Sequence, residues 1–257
     1  MLQNKVVVVS GIGPGLGRSL ALRSAQNGAD VVLVARTESR LSEVAKEVEA
    51  TGRRALVVPT DITDEASAET LAKITLETFG RVDTLINSAF AVPPMADLVE
   101  VDLADVRSGF ETNVFAALRL TRLFTPALAE AKGSVIMVNS VVLRHSKQNF
   151  GAYKMSKAAL LSLAQTLSTE LGPKGIRVNT IAPGYIWTDA VKAWFNFQAE
   201  ERGVPMQEVY DEVAANIDIR RIPEPAEIAD AVMLLASDLA RAITGQCLDV
   251  NGGEYHH

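Results

Sequence analysis

Tyr153-Lys154-Met155-Ser156-Lys157 sets a phenol and an ammonium four residues apart. On a helix, that spacing puts Tyr153 and Lys157 on one face. A free phenol has a pKa of about 10, too high for ready proton loss at neutral pH. A nearby ammonium favours the phenolate. Tyr153 is therefore predicted to exchange a proton with an alcohol or alkoxide oxygen while a hydride moves at the attached carbon. A second hydroxyl must hold that oxygen. Ser140, thirteen residues earlier at the end of a strand-like run, is the candidate. The tyrosine–lysine spacing alone arises often by chance, so its surroundings decide its meaning.

The sequence offers a partner for such chemistry at its other end. Ser10-Gly11-Ile12-Gly13-Pro14-Gly15-Leu16-Gly17-Arg18 follows a valine-rich strand and opens a helical pattern. Glycines there allow a tight turn and a close approach of phosphate to backbone. The helix N-terminus adds free N–H groups and a positive dipole end, which suit a pyrophosphate. The spacing is not that of a P-loop, because Arg18 stands where that motif needs lysine. Past the second strand, where a carboxylate would bind the ribose hydroxyls of NAD, stand Ala35 and Arg36. An arginine there can neutralise a 2′-phosphate, so NADP(H) is expected to be preferred, with NAD(H) possible.

These groups need a frame, and the sequence supplies one. Short apolar runs at Lys5–Val9, Val31–Ala35, Ala55–Val58, Thr84–Asn87, Ser134–Asn139, Arg177–Ile181 and Cys247–Val250 read as strands. Their lack of alternation suits a parallel sheet covered on both faces. Helical patterns lie between them: Leu41, Val44, Ala45 and Val48 share a face, and Leu71–Phe79, Val106–Leu128, Tyr153–Leu171 and Ala226–Leu235 behave alike. The prediction is an α/β fold: one Rossmann-type, doubly wound domain over residues 1–257, with about seven parallel strands. Thr188–Arg221 is the least regular stretch and reads as a lid-like insertion.

Composition narrows the function classes. The 257 residues are 48% hydrophobic and 22% charged, as in a packed globule. A net charge of −6 argues against a broad nucleic-acid surface. No stretch approaches the roughly 20 apolar residues of a membrane span. With Cys247 as the single cysteine, no intrachain disulfide can form, and a cytoplasmic setting is expected. His145 is the only histidine besides His256 and His257, so no metal site is expected.

Taken together, the motifs resemble those of the short-chain dehydrogenase/reductase family over essentially the whole chain. Gly11, Gly15 and Gly17 match its glycine motif, with Ser10 in place of the usual threonine. Asp61 matches a residue that contacts adenine. Asn87-Ser88-Ala89-Phe90 matches the motif after the fourth strand, although Ser88 and Phe90 replace an asparagine and a glycine. Asn113, Ser140, Tyr153 and Lys157 match the catalytic positions. Pro183-Gly184 and Thr188 match the segment that closes on nicotinamide, and Asn251-Gly252-Gly253 the C-terminal motif. The resemblance implies that Lys157 binds the nicotinamide ribose. It further implies that Asn113 holds a water linking that lysine to solvent, and that Thr188 holds the carboxamide or a phosphate. Leu16, Ile62, Asn87 and Ile186 fall in the same cofactor-facing stretches. A homodimer or homotetramer is common in the family.

The expected reaction is hydride transfer between a nicotinamide cofactor and a secondary alcohol or ketone. Alternatives are a non-catalytic dinucleotide-binding regulator, a double-bond reductase or an epimerase. Val141, Val142, Leu143, Asn149, Phe150 and the aromatic-rich stretch 185–197 are expected to line the pocket, favouring an apolar substrate unless those aromatics pack on one another. Phe90 is expected to disturb packing where glycine is usual. His145 is a weaker candidate for touching substrate.

Overall fold

The computed structural model describes residues 1–256. Seven parallel strands form one sheet in the order β3-β2-β1-β4-β5-β6-β7. They are β1 (Val6–Ser10), β2 (Asp30–Ala35), β3 (Ala55–Pro59), β4 (Thr84–Asn87), β5 (Ser134–Val138), β6 (Arg177–Pro183) and β7 (Cys247–Val250). The helices are α1 (Leu16–Gln26), α2 (Glu38–Glu49), α3 (Glu65–Phe79), α4 (Leu103–Phe110), α5 (Ala116–Ala131), α6 (Gly151–Leu171), α7 (Asp189–Arg202), α8 (Met206–Ala214) and α9 (Pro225–Ala236).

The valine runs work because a strand sends alternate side chains to opposite faces. Val7, Val9, Val31 and Leu33 pack under α1, α2 and α9. Val6, Val8, Val32 and Val34 pack under α3, α5 and α6. Burying such a side chain fully contributes about 1.5–3 kcal/mol, so both helical layers are strongly held. At the amino edge, Asp83 accepts the Val6 N–H at 2.9 Å and is clamped by Arg81, which fixes β4 beside β1. Predicted strands match observed ones to within two residues at each end.

The single helix expected over 106–128 is three pieces. Between α4 and α5 lies one π-helical turn, Glu111–Phe115, which carries Asn113. Such turns recur at functional sites. In the 188–221 stretch, α7 and α8 build a small core of their own around Phe195, Ala199, Val209, Ile217 and Ile222.

Candidate active site

Strand ends place the polar groups. Gly11 and Ile12 both donate their N–H to Val34 O, at 2.8 and 3.1 Å, which folds the glycine turn over the ends of β1 and β2. Gly11 has φ +97°, and a Cβ there would lie 2.3 Å from Ala89 N. A Cβ on Gly17 would lie 2.1 Å from Gly11 O. These two glycines are thus demanded by packing. Gly15 caps α1 without a side-chain bond, and the first turn of α1 holds no acidic residue, so its positive end stays open to an anion. The Thr188 methyl would lie 2.7 Å from a Cβ on Gly15, bringing the segment after β6 against the turn.

Two polar atoms beside this turn are buried without a partner: Ser10 Oγ, at the end of β1, and Asn87 Oδ1, at the end of β4. Buried polar atoms are nearly always paired. Together with the glycine cradle they fit a nicotinamide dinucleotide. At the adenine end expected for it, Arg36 is exposed just past β2. Asp61, just past β3, accepts from Thr63 N and Oγ1 at 2.9 and 2.6 Å. Those bonds, then Arg36 nearby, hold its carboxyl below the ordinary range. Ile62 and Ile186 are half-buried, packed against the two layers of the core, and Pro183 ends β6.

The catalytic candidates converge at the end of β5. Ser140 hydrogen-bonds the Tyr153 phenol. Lys157 is fully buried, donates to Val138 O at 3.0 Å and lies 5.7 Å from the Tyr153 ring centroid. Asn139 donates to Lys157 O at 3.0 Å and accepts the Ser140 N–H at 2.9 Å, tying strand to helix. Asn139 thus links Ser140 to Lys157, a role that nothing in its sequence position announces.

Electrostatics departs from expectation at Tyr153. Burial pushes its phenol up to about 12, opposed only by the Ser140 hydrogen bond. The lowering expected from Lys157 plays no part in this shift, which desolvation of the phenolate dominates. Burial also pushes Lys157 down to about 7. The buried ammonium is thus a cost to the fold. Below pH 7 it is protonated folded and unfolded alike, and the cost is fully present. Between pH 7 and 10.5 the unfolded chain binds the extra proton, so stability rises with pH through that window. Lys157→Met is accordingly expected to raise the Tm at pH 7, with the gain shrinking towards pH 10; thermal melts across that range check it. A gain that is absent, or constant with pH, would disprove it.

Asn113 is held on the π-helical turn by three hydrogen bonds. Its amide donates to Ala91 O and Ser156 Oγ, both at 2.9 Å, and accepts Ala91 N–H at 2.8 Å. Ser156 in turn donates to Tyr153 O at 2.8 Å. Phe90, expected to crowd the loop, escapes by facing outward at 61% exposure, 6.0 Å from Lys157 Nζ. Of the apolar lining, Tyr185, Trp187, Trp194 and Phe195 pack on one another, with centroids 5.3–6.3 Å apart.

A family model described as enoyl-(acyl carrier protein) reductase matches residues 11–255. The 7alpha-hydroxysteroid dehydrogenase of Escherichia coli is 33% identical over 253 residues, covering 98% of this chain and 94% of that protein. The chain belongs to the short-chain dehydrogenase/reductase family. This dehydrogenase/reductase also superposes on solved members. One is a 7alpha-hydroxysteroid dehydrogenase complexed with NADH and 7-oxo glycochenodeoxycholic acid, with a TM-score of 0.89 and 32% identity over 98% of this chain and 94% of that one. Another is the L-sorbose reductase of Gluconobacter frateurii complexed with NADPH and L-sorbose, with a TM-score of 0.93 and 30% identity over 98% of this chain and 97% of that one. Like them, the short-chain dehydrogenase/reductase described here is a nicotinamide-dependent oxidoreductase acting on alcohol and carbonyl groups.

Proposed function

We propose that the enzyme interconverts ketones and secondary alcohols with Ser140, Tyr153 and Lys157 as its reacting set and NADP(H) as its preferred cofactor. The observation that carries this is the Ser140–Tyr153 hydrogen bond beside a fully buried lysine. The bound dinucleotide supplies or accepts the hydride. Ser140 holds the substrate oxygen. The phenol, kept protonated by burial, donates its proton to that oxygen as negative charge develops there. Lys157, with its pKa near neutrality and its Nζ 5.7 Å from the Tyr153 ring centroid, would resupply the proton to Tyr153. Asn113 acts as a positioning residue, binding the chain after β4 to α6 through Ser156.

The glycine turn with Ser10, Gly11, Gly15, Leu16 and Gly17, together with Asn87, Pro183, Gly184, Ile186 and Thr188, would hold the pyrophosphate and nicotinamide, and Asp61 and Ile62 the adenine. Arg36, exposed just past the end of β2, supports the preference for a 2′-phosphate. Arg36→Ala is expected to weaken NADPH binding about tenfold or more, the scale of a lost charged hydrogen bond, with little change for NADH. Fluorescence titration with each cofactor measures this, and equal losses would show that Arg36 does not read the phosphate. A carbonyl panel with the better cofactor tests the reaction itself.

A homo-oligomer is inferred from the exposed apolar residues Leu98, Val99, Leu103 and Phe115, and light scattering on the purified protein would overturn it by returning a monomer mass. The single cysteine supports a cytoplasmic location; compartment fractionation finding the chain elsewhere would refute that. Among the described residues no helix is long and apolar enough to cross a membrane.

A further inference from the structure

Strands β5, β6 and β7 are neighbours, so the loops that follow them lie side by side at the carboxyl edge, where open parallel sheets bind ligands. The first two loops carry Ser140 and Gly184. The third, from Asn251 to Tyr255, has no part in the reaction described above, yet it is firmly built. Asn251 accepts the Gly253 N–H at 2.8 Å and donates to Tyr255 O at 3.0 Å. Gly252 O accepts the Ile219 N–H at 3.1 Å.

This turn holds Glu254 and Tyr255 against the two loops of the active site. The Tyr185 N–H hydrogen-bonds the Glu254 carboxylate, and Glu254 Oε2 would lie 2.6 Å from a Cβ on Gly184. The Tyr255 ring lies 5.2 Å from the His145 ring. His145 follows the turn begun by Ser140, and its carbonyl accepts from Lys154 Nζ at 2.7 Å, next to Tyr153.

Two atoms in this cluster, Glu254 Oε2 and His145 Nδ1, are buried without a partner. Buried polar atoms are nearly always paired. Lys147 lies near enough to act on both electrostatically, but no ion pair between it and Glu254 forms among the described residues. Burial keeps the His145 ring towards its neutral form, so Nδ1 is able to accept or donate according to tautomer.

We infer that Glu254 and His145 are specificity-determining residues that hydrogen-bond a hydroxyl on the flank of the substrate, making hydroxy ketones and their diols a preferred class over plain ketones. The inference rests on the alcohol/ketone reading above. A site built to pair with a substrate hydroxyl rejects the analogue lacking it, because its own polar groups are then left unpaired.

The test compares NADPH-dependent reduction of 2-hydroxycyclohexanone with that of cyclohexanone, and of 3-hydroxybutan-2-one with that of butan-2-one. The wild type is expected to favour each hydroxy ketone by about tenfold or more in kcat/KM. Glu254→Ala should bring the ratio near one, chiefly through KM of the hydroxy ketone, while the plain ketone changes little. Glu254→Gln, which keeps an acceptor, should retain part of the preference. If Glu254→Ala does not fold, His145→Phe gives the same reading. Turnover with no hydroxyl preference, or equal losses on both ketones, would overturn the inference and leave the alcohol/ketone reading standing. Absence of turnover on all four would overturn both.

Discussion

Tyr153→Phe is expected to lower kcat by about 100- to 10,000-fold, the usual worth of general acid–base help, while the affinity for NADPH stays nearly intact. The substitution keeps the ring and its packing and removes only the hydroxyl. That hydroxyl is both the proton donor and the partner of Ser140. Ser140 Oγ keeps its bond from the Val142 N–H at 3.2 Å, so the strand end should not rearrange. The glycine turn and the adenine-side residues lie on other elements and should be untouched. Stopped-flow turnover with a ketone, paired with fluorescence titration of NADPH, separates the two quantities. Near-normal turnover would remove Tyr153 from its role, and a matching loss of NADPH affinity would make it a binding residue instead.

Gly11→Ala should be the most damaging small substitution in the chain. The residue has φ +97°, where an L side chain is strained, and the new Cβ would meet Ala89 N at 2.3 Å, Ala89 Cα at 2.5 Å and Ser88 C at 2.6 Å. These are backbone atoms of the segment after β4, so relief requires moving that segment. Backbone strain and overpacking each cost about 1–3 kcal/mol. The glycine turn would be displaced as well, and NADPH binding should fall below detection even where the protein remains folded. Gly13→Ala is the control, because nothing lies within 4 Å of its Cβ position. It should unfold in urea at the wild-type midpoint. Equal behaviour of the two variants would mean that the contact with Ala89 does not govern the turn.

The sheet was legible because valine runs bounded by glycine, proline and asparagine leave few other readings. The site was legible where chemistry demands residue types at fixed spacing: Tyr153 with Lys157, and the glycines after β1. What escaped depends on distances that only folding sets. The direction of the Tyr153 shift follows from burial, which spacing does not reveal. The double grip of Asn113 on Ala91 needs the π-helical turn, and no side-chain pattern announces that turn. The bridge that the Asn139 amide makes from Ser140 to Lys157 likewise needs the strand end and α6 brought together. Glu254 carries no sequence signal; its position follows from the adjacency of β6 and β7.

The strand order also constrains how the molecule assembles. β1, β2 and β3 follow one another through α1 and α2, so that half of the sheet forms from near neighbours. β4 must instead return to the far side of β1, and the Val6–Asp83 bond that anchors it closes a span of 77 residues. Loop closure grows costlier only slowly with length, but non-local pairing of this kind slows folding. β4 is thus the seam between the strands that carry the phosphate-holding turn and those that carry the proton-transfer groups, and both halves of the site share that one long-range pairing.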